Sequence, residues 1–387
     1  MQQVVESETI PIKLWLNDME EGAMQQARNL ANLPFAFHHV AIMPDAHFGF
    51  GMPIGAILAT EDVVIPNAVG VDIGCGMCSV KTSLEHIDRD ALKQIMQSVR
   101  TRVPLGFKHH KKKQPHDAMP EEEIDDLPIV KSEYDNARAQ VGTLGGGNHF
   151  IEIQRGTDGR IWFMIHSGSR NLGFRVATHY NKLAATLNKN WKSPLPASWQ
   201  LAYLPMNETA GQTYFREMSY CVKFAGANRA LMQRQVERCF RDHLPDIHFD
   251  APINIAHNYA ARELHFGRQV YVHRKGATRA EAGDTGIIPG SQGSASFIVR
   301  GTSNPESFNS CSHGAGRKMG RKQAQRQLDL NGERRKLERN NILHSLRGKK
   351  DLDEAPGAYK NIERVIDYQQ DLVEVLDVLQ PLAVIKG

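Results

Sequence analysis

Five glycine-flanked segments, scattered over most of the 387 residues, constrain the fold more than any other feature of the sequence. Each places at least one histidine, cysteine or aspartate beside glycine or small polar residues, which let the backbone turn tightly and leave the side chain accessible. They are VDIGCGMC (71–78), GGGNHFIE (145–152), IHSGSRNLG (165–173), NIAHNY (254–259) and SCSHGAGR (310–317). If these side chains act together, the fold must bring distant parts of the chain to one place.

The pattern of apolar residues predicts an α+β fold of several mixed β-sheets with surrounding helices. Helical spacing is clearest from Gln212 to His243, and it also extends over residues 83–99. The segment around Asp45 and His47 is predicted to be a loop between apolar runs. The strand-like stretches, punctuated by glycine and proline, are 63–65, 69–73, 141–180 and 251–302.

The charge is nearly balanced overall but uneven along the chain. A formal net charge of +4, with 41% hydrophobic and 23% charged residues, is that of an ordinary globular protein and does not by itself indicate nucleic-acid binding. Residues 317–350 carry twelve Lys/Arg against three Asp/Glu, and the stretch to 346 is predicted to be helix plus loop. The KHHKKK run at 108–113 predicts an exposed loop. A solvated surface segment is the favoured interpretation of this loop, and contact with RNA is the less favoured one.

The sequence predicts neither a signal peptide nor a membrane span. The first residues are polar and acidic, without a basic start followed by an apolar run, and no stretch approaches the ~18 uninterrupted apolar residues that a span requires. The five cysteines are odd in number and scattered, which argues against a disulfide framework. A reducing, cytoplasmic location is therefore expected, where a thiolate can serve as a metal ligand.

The residue types in these segments favour a site for one or two divalent first-row metal ions. Asp72 and Cys75 offer a hard oxygen and a soft sulfur three residues apart, and His149, His166 and His257 offer imidazoles. The C-x-x-C pair at 75–78 has two other interpretations, a redox couple or half of a zinc site. A redox pair usually lies at the start of a helix, and the glycines on both sides of Cys75 make a helix start there unfavourable. A zinc site would need a second Cys or His pair at short spacing, and the sequence has none.

A nucleotide site is less clearly marked. The G-x-G-x-x-x-G within residues 43–55 has not the spacing of a dinucleotide fingerprint, and no G-x-x-x-x-G-K-[ST] phosphate loop occurs. The PGSQGSASF segment (289–297) has hydroxyls and open backbone amides that suit phosphate or a base edge. An ordinary Ser/Gly-rich turn is an equally good interpretation of that segment.

One ordered set of motifs runs from about residue 40 to the last residue: MPDAHFGFGMPIG, VGVDIGCGM, LGGGNHF, HSGSRNLG, NIAHNY, PGSQGSAS, SHGAGR and the terminal Lys386-Gly387. The set resembles the RtcB family of RNA-splicing ligases. Members of that family join an RNA 2′,3′-cyclic phosphate or 3′-phosphate end to a 5′-hydroxyl end, using GTP and Mn²⁺. The resemblance implies an RtcB-like fold and one catalytic domain over 1–387, since the implied site reaches from Asp72 to Lys386.

The resemblance also implies a role for individual residues. One Mn²⁺ would be held by Asp72, Cys75 and His149, and a second by Cys75, His166 and His257. His313 would be the nucleophile that takes GMP from GTP, with Asp45 as an acidic residue near the site. Contacts to the guanosine nucleotide would come from Asn148, Phe150, Glu152, Ser291, Ser296, Arg317, Tyr359 and Lys386, and contacts to RNA phosphates from Arg170, Arg321 and again Arg317.

These roles make chemical sense without the family name. A neutral imidazole is a good nucleophile towards phosphorus near neutral pH, and the bond that it forms passes GMP onward readily. The ligand set by affinity alone favours zinc, so Mn²⁺ rests on the resemblance. Arg317 and Arg321, four and eight residues after His313, would share one face of a helix and point towards the same phosphates. RNA, GTP and an archease-like activator are the implied partners.

Two other functions remain as alternatives. A metal-dependent nucleotide or RNA phosphodiesterase would use the same ligands without a covalent intermediate, but it has no need of the additional histidine in the SHGAGR turn. A non-catalytic RNA-binding or metal-storage protein leaves the set of ligands and nucleophile unexplained. The physiological RNA, in tRNA splicing or in RNA repair, is not identified by the sequence.

Overall fold

Seventeen strands and nine α-helices follow one another along residues 1–387, all of which the computed structural model describes. The strands are β1 (Gln3–Val5), β2 (Ile12–Leu14), β3 (Ala36–His47), β4 (Ile54–Thr60), β5 (Val63–Val64), β6 (Gly76–Lys81), β7 (Phe150–Arg155), β8 (Ile161–Ser167), β9 (Leu204–Pro205), β10 (Ile253–Ala256), β11 (Asn258–His265), β12 (Arg268–Lys275), β13 (Ala277–Arg279), β14 (Thr285–Ile288), β15 (Ser296–Gly301), β16 (Ser310–Ser312) and β17 (Val373–Lys386). The helices are α1 (Glu21–Ala31), α2 (Pro66–Val69), α3 (Arg89–Arg102), α4 (Pro128–Gln140), α5 (Arg170–Asn190), α6 (Thr209–His243), α7 (Arg321–Gln327), α8 (Leu330–Arg339) and α9 (Ile362–Asp367).

Two large sheets and two short strand pairs make up the β-structure. The six-stranded sheet has the order β1-β2-β3-β4-β12-β11 and is antiparallel except between β2 and β3. The seven-stranded sheet has the order β10-β6-β8-β7-β17-β15-β14 and is antiparallel throughout. β13 pairs with β16, and β5 with β9. The predicted α+β class, with several sheets and surrounding helices, is confirmed.

Alternation along the central strands of the seven-stranded sheet separates a hydrophobic face from a polar one. Ile151 and Ile153 of β7 and Ile165 of β8 belong to a core of 21 buried residues, to which α3 and α6 contribute their apolar stripes. Full burial of each such side chain stabilises the fold by about 2 kcal/mol. The intervening Phe150 and Glu152 of β7 therefore point to the opposite face, where the candidate site lies.

The spacing of apolar residues correctly predicts the long helix. The predicted helix 212–243 is observed as α6, of 35 residues, whose buried side chains include Met218, Phe224 and Val236. None of the nine helices combines the length and the apolar character that crossing a bilayer requires.

Two predictions of local structure near the site are wrong. Asp45 and His47 lie in strand β3 instead of a loop, because β3 continues past an irregularity in its pairing with β4 between Ile42 and His47. Residues 69–73 are not a strand, since Pro66 at the first helical turn starts α2 and Gly70, with φ of +94°, ends it.

Two predicted boundaries also need correction. The strand-like stretch 141–180 ends at Ser167, and residues from Arg170 onward form α5, which buries Leu172, Val176 and Tyr180 at helical spacing. The helix expected from residue 83 begins at Arg89, because the Asp88 side chain caps it by accepting from the backbone N–H groups of residues 90 and 91.

Candidate active site

The ends of neighbouring strands bring the five predicted metal ligands together. Cys75 lies directly before β6, and His257 lies directly after β10, its partner strand, so that the His257 backbone N–H donates to the Cys75 carbonyl at 2.8 Å. His149 comes directly before β7, and His166 is near the end of the adjacent β8. The turn before Cys75 supplies Asp72. All five thus lie at the same end of four neighbouring strands of the seven-stranded sheet, β10, β6, β8 and β7.

Their donor atoms form two groups that share one sulfur. In each group the donor atoms lie within 4.8 Å of one another: Asp72, Cys75 and His149, and Cys75, His166 and His257. The Cys75 Sγ is 3.5 Å from His149 Nε2 and 3.3 Å from His166 Nε2. This is the grouping that the resemblance implies.

The hydrogen bonds around these side chains suit metal ligands. The Nδ1–H groups of His149 and His166 donate to the carbonyls of Leu144 and Asn148, at 2.9 and 3.1 Å, which leaves both Nε2 lone pairs directed at the cluster. Burial, reinforced by neighbouring histidines, lowers the pKa of His166 and His257 well below the ordinary value, so both rings are neutral. Their Nε2 atoms lie only 3.4 Å apart. A cation between such facing nitrogens would satisfy both, so the donor set fits a divalent metal.

A buried arginine beneath the cluster, which the sequence analysis missed, holds its strands in place. Arg229 of α6 is 2% exposed and donates to the Gly74 and Ser167 carbonyls, both at 2.9 Å, and to Asn254 Oδ1 at 2.7 Å. Burial lowers its pKa, although the nearby Cys75 opposes that effect. Because one guanidinium joins the segments that carry Cys75 and His166, it fixes their spacing.

His313 lies beside the cluster, on the other side of His257. It follows β16, and its ring centroid is 4.8 Å from that of His257. The Asp45 Oδ2 accepts both the His313 backbone N–H, at 3.1 Å, and the ring Nδ1–H, at 2.6 Å. Gly276, with φ of +64°, is required here because a Cβ would lie 2.9 Å from the His313 ring. The Nε2 of His313 therefore carries the lone pair and remains available.

The carboxylate of Asp45 is completely buried, and its ionised form is stabilised by its neighbour. Burial alone would raise the pKa of Asp45, but the interactions with His313, Lys360 and His47 together hold it below the ordinary value. Lys360 adds to this effect, and its Nζ donates to the Pro44 carbonyl at 3.2 Å. Asp45 thus orients His313 from within β3.

A cavity of about 560 Å³ opens next to His313. One wall is a row of residues across three adjacent strands, in which Lys386 of β17 pairs with Phe150 of β7 and Phe150 with His166 of β8. Most of the predicted nucleotide contacts line the cavity: Asn148, Phe150, Glu152, Ser291, Arg317, Tyr359 and Lys386, together with Arg321. Ser296 does not line the cavity, and its Oγ accepts from the Gly290 backbone N–H at 3.1 Å and from Gln154 Nε2 at 3.0 Å.

Two carboxyl groups of the cavity wall have unusual surroundings. Burial raises the pKa of Glu152 to about 8, although a hydrogen bond from Gln154 and the charge of Lys386 act in the other direction. Glu354, which the sequence analysis missed, lies 3.1 Å from Arg317, 3.4 Å from Arg321 and 3.4 Å from Lys386. Three cations around one buried carboxylate leave an excess of positive charge facing the cavity.

The predicted shared helix for Arg317 and Arg321 is wrong. α7 begins only at Arg321, and Arg317 forms an isolated β-bridge with Tyr359. Both arginines nevertheless converge, because each forms an ion pair with Glu354. Arg170 lies outside the cavity. Its guanidinium packs against Gly145, where a Cβ would lie only 1.9 Å from it, and reaches within 3.2 Å of His149 Nδ1.

The two cysteines of the C-x-x-C pair have different surroundings. Cys75 belongs to both donor groups, whereas Cys78, on β6, is buried in the hydrophobic core and its pKa is raised by burial to about 12. Neither forms a disulfide. This separation is unlike a redox couple or a shared zinc site.

Comparisons with known proteins agree on one family. The family model described as tRNA-splicing ligase RtcB matches residues 26–127 and 121–387. The RNA-splicing ligase RtcB of Escherichia coli K12 is 37% identical over 409 positions, which cover 100% of this chain and 99% of the relative. The tRNA-splicing ligase RtcB of Methanococcus maripaludis is 32% identical, with 97% and 93% covered. The tRNA-splicing ligase RtcB of Thermococcus kodakarensis is 30% identical, with 95% and 92% covered.

Proposed function

Because this chain belongs to the RtcB family, we propose that it is an RNA ligase that joins RNA 2′,3′-cyclic phosphate or 3′-phosphate ends to 5′-hydroxyl ends through a histidine–GMP intermediate. The observation that carries the proposal is His313, whose Nδ1 is held by a buried carboxylate while its Nε2 is left available between the metal-donor cluster and the cavity. A metal-dependent phosphodiesterase without a covalent intermediate does not need such a nucleophile.

In the first step, His313 Nε2 attacks the α-phosphorus of GTP, a P–N bond forms, and pyrophosphate leaves. The Nδ1–H···Asp45 hydrogen bond of 2.6 Å keeps the ring in the reactive tautomer and stabilises the positive charge that develops on it. In the second step the RNA 3′-phosphate displaces the histidine and takes GMP, and in the third the 5′-hydroxyl displaces GMP to form the phosphodiester. A cyclic phosphate must first be opened by water to a 3′-phosphate.

We propose that the two donor groups, which have Cys75 in common, would hold two Mn²⁺ ions. Bound there, the ions would offset the charge of the triphosphate and of the RNA phosphate. The chain's own basic residues would add positive charge, since Arg317, Arg321 and Lys386 surround Glu354 at the cavity wall. Residues 1–387 are proposed to act as one catalytic domain, and the five free cysteines suit a reducing cytoplasm.

The test of the proposed function is a joining reaction with defined RNA ends. An RNA ending in a 2′,3′-cyclic phosphate and a second RNA with a 5′-hydroxyl are incubated with the protein, GTP and Mn²⁺, and one longer product is expected. A matched pair with a 3′-hydroxyl and a 5′-phosphate is expected to stay unjoined. Opening or shortening of the RNA without GTP and without joining would instead support the phosphodiesterase.

Asp45→Asn is expected to slow guanylylation by about 10²–10⁴-fold. Loss of the carboxylate that orients the catalytic histidine of a Ser-His-Asp triad has an effect of this size. The amide can no longer stabilise the charge on the His313 ring, and it can donate to Nδ1, which favours the unreactive tautomer. The rate of labelling by α-labelled GTP measures the effect at saturating GTP. Asp250→Asn, an exposed position, is the control. An unchanged rate in Asp45→Asn would mean that His313 is oriented by other groups.

GTP binding is expected to tighten as the pH rises towards 8 and then to level off. With its pKa raised by burial to about 8, Glu152 is protonated at neutral pH, and the proton must leave before the carboxylate can accept the N–H groups of guanine. Below that pH the Kd should fall by up to about tenfold per pH unit. Calorimetric titration of GTP into the protein measures this slope. Glu152→Gln is expected to bind more weakly and to lose the slope, and a retained slope would assign it to another group.

A further inference from the structure

An exposed phenylalanine followed by a run of basic residues remains unused by the chemistry above. The Phe107 side chain is 100% exposed, and the sequence KHHKKK follows it directly. We call residues 106–113 the basic loop. Lys113 pairs with Asp135 at 3.0 Å, but Lys108, Lys111 and Lys112 have no carboxylate within 4.0 Å. The basic loop thus presents one aromatic ring and three unpaired positive charges to solvent.

The basic loop is held firmly against its neighbours. The Gly106 backbone N–H donates to the Gly145 carbonyl at 3.1 Å, and His110 donates in the same way to Ala139 at the end of α4, at 2.9 Å. The backbone N–H of Gln114, just after the loop, donates to the Arg138 carbonyl at 2.9 Å. Since its backbone is fixed on both sides, the ring and the lysines are presented on a stable support.

Its position links it to the candidate active site. Gly145, which accepts from Gly106, belongs to the glycine run 145–147 that leads directly into Asn148 and His149. Gly147 packs under the Arg321 guanidinium, 3.2 Å from where a Cβ would be, and Gly145 packs under that of Arg170. The glycine run therefore joins the basic loop to the segment that carries Asn148 and His149. Arg170 and Arg321 lie beside the run, and the terminal Gly387 packs against Gly145 and Gly146.

We propose that the basic loop binds a single-stranded segment of the RNA substrate a few nucleotides away from its reacting end. A base would stack on Phe107, and Lys108, Lys111 and Lys112 would contact the phosphates that follow. Exposed aromatic rings among unpaired basic residues are the usual surface for single-stranded nucleic acid, since every base offers a flat face and every nucleotide a charge. The inference rests on the proposed function, because it takes RNA to be the substrate.

Binding without GTP tests this proposal separately from catalysis. Fluorescence anisotropy is measured with labelled single-stranded RNAs of about four and about twelve nucleotides, lengths that bracket one binding surface. Phe107→Ala is expected to raise the Kd of the longer RNA about tenfold and to leave the shorter one nearly unchanged. Phe107→Trp is expected to bind like the wild type, and stacking should quench its added fluorescence. Lys111→Ala/Lys112→Ala should lower the slope of log K against log salt by about 1.4.

Matched controls come from the far end of α5. Trp191→Ala removes another exposed aromatic ring, and Lys189→Ala/Lys192→Ala removes two exposed lysines, and both variants should bind RNA like the wild type. An unchanged Kd in Phe107→Ala, or an equal loss of affinity for both RNA lengths, would overturn the proposal. An acidic protein would then be the better candidate to bind the basic loop. If the proposed function is wrong, the wild type fails to join RNA in the presence of GTP. The binding assay contains no GTP and measures no joining, so the two failures can be told apart.

Discussion

In His313→Ala, covalent labelling of the protein by α-labelled GTP in the presence of Mn²⁺ is expected to fall to background, by at least ~10³-fold. No other histidine near the cavity combines an orienting carboxylate with a free Nε2. His149 and His166 direct Nε2 at the donor cluster, and His47 bonds to a backbone carbonyl through Nδ1 without a carboxylate. Label on the wild type should be lost in acid and kept in base, as a phosphoramidate requires.

The control for this variant is His86→Ala, which removes an exposed histidine with no hydrogen-bond partner. Unchanged GTP and Mn²⁺ binding by His313→Ala would show that its site is intact, so that the loss of label belongs to the nucleophile. Label that survives in His313→Ala would refute the covalent role of this residue. A wild type that takes up no label at all would refute the histidine–GMP intermediate.

The residues that share a short motif with glycine could be predicted from the sequence because their surroundings are local. Asp72, Cys75 and His149 each lie in a turn or beside a strand end, and such positions leave a recognisable pattern of glycine and small polar residues. The helix α6 was equally predictable, since a buried stripe at helical spacing runs through 35 residues. What could not be predicted is which of these pieces touch.

The rest depended on contacts between distant parts of the chain. Asp45 reads as a loop residue until His313, 268 positions away, supplies the hydrogen bond that lets a carboxylate be buried in β3. Glu354 and Arg229 have no motif around them, and their roles come from partners on other elements. Arg317 and Arg321 meet through Glu354 instead of along a helix, because the turn after His313 does not become helical.

Cys75→Ala is expected to weaken Mn²⁺ binding by about 10²-fold or more and to abolish guanylylation. The thiol is the one donor common to both groups, so its removal takes one of three protein donors from each. Isothermal titration calorimetry of Mn²⁺ and the electron paramagnetic resonance spectrum of the bound ion would measure the change. Zn²⁺ in competition should bind the wild type tightly, because thiolate and imidazole donors favour it.

Cys78→Ala separates a metal ligand from a cysteine pair. Its sulfur is buried in the hydrophobic core, so the substitution should leave Mn²⁺ binding unchanged and cost about 1 kcal/mol of unfolding free energy, as for the loss of one buried methyl group. If both alanine variants lose metal equally, the two cysteines act as a unit and the proposed donor groups are wrong. If Cys75→Ala keeps both metal and label, the site does not depend on the shared sulfur. Only a loss of metal confined to Cys75→Ala supports two donor groups that share this residue beside His313.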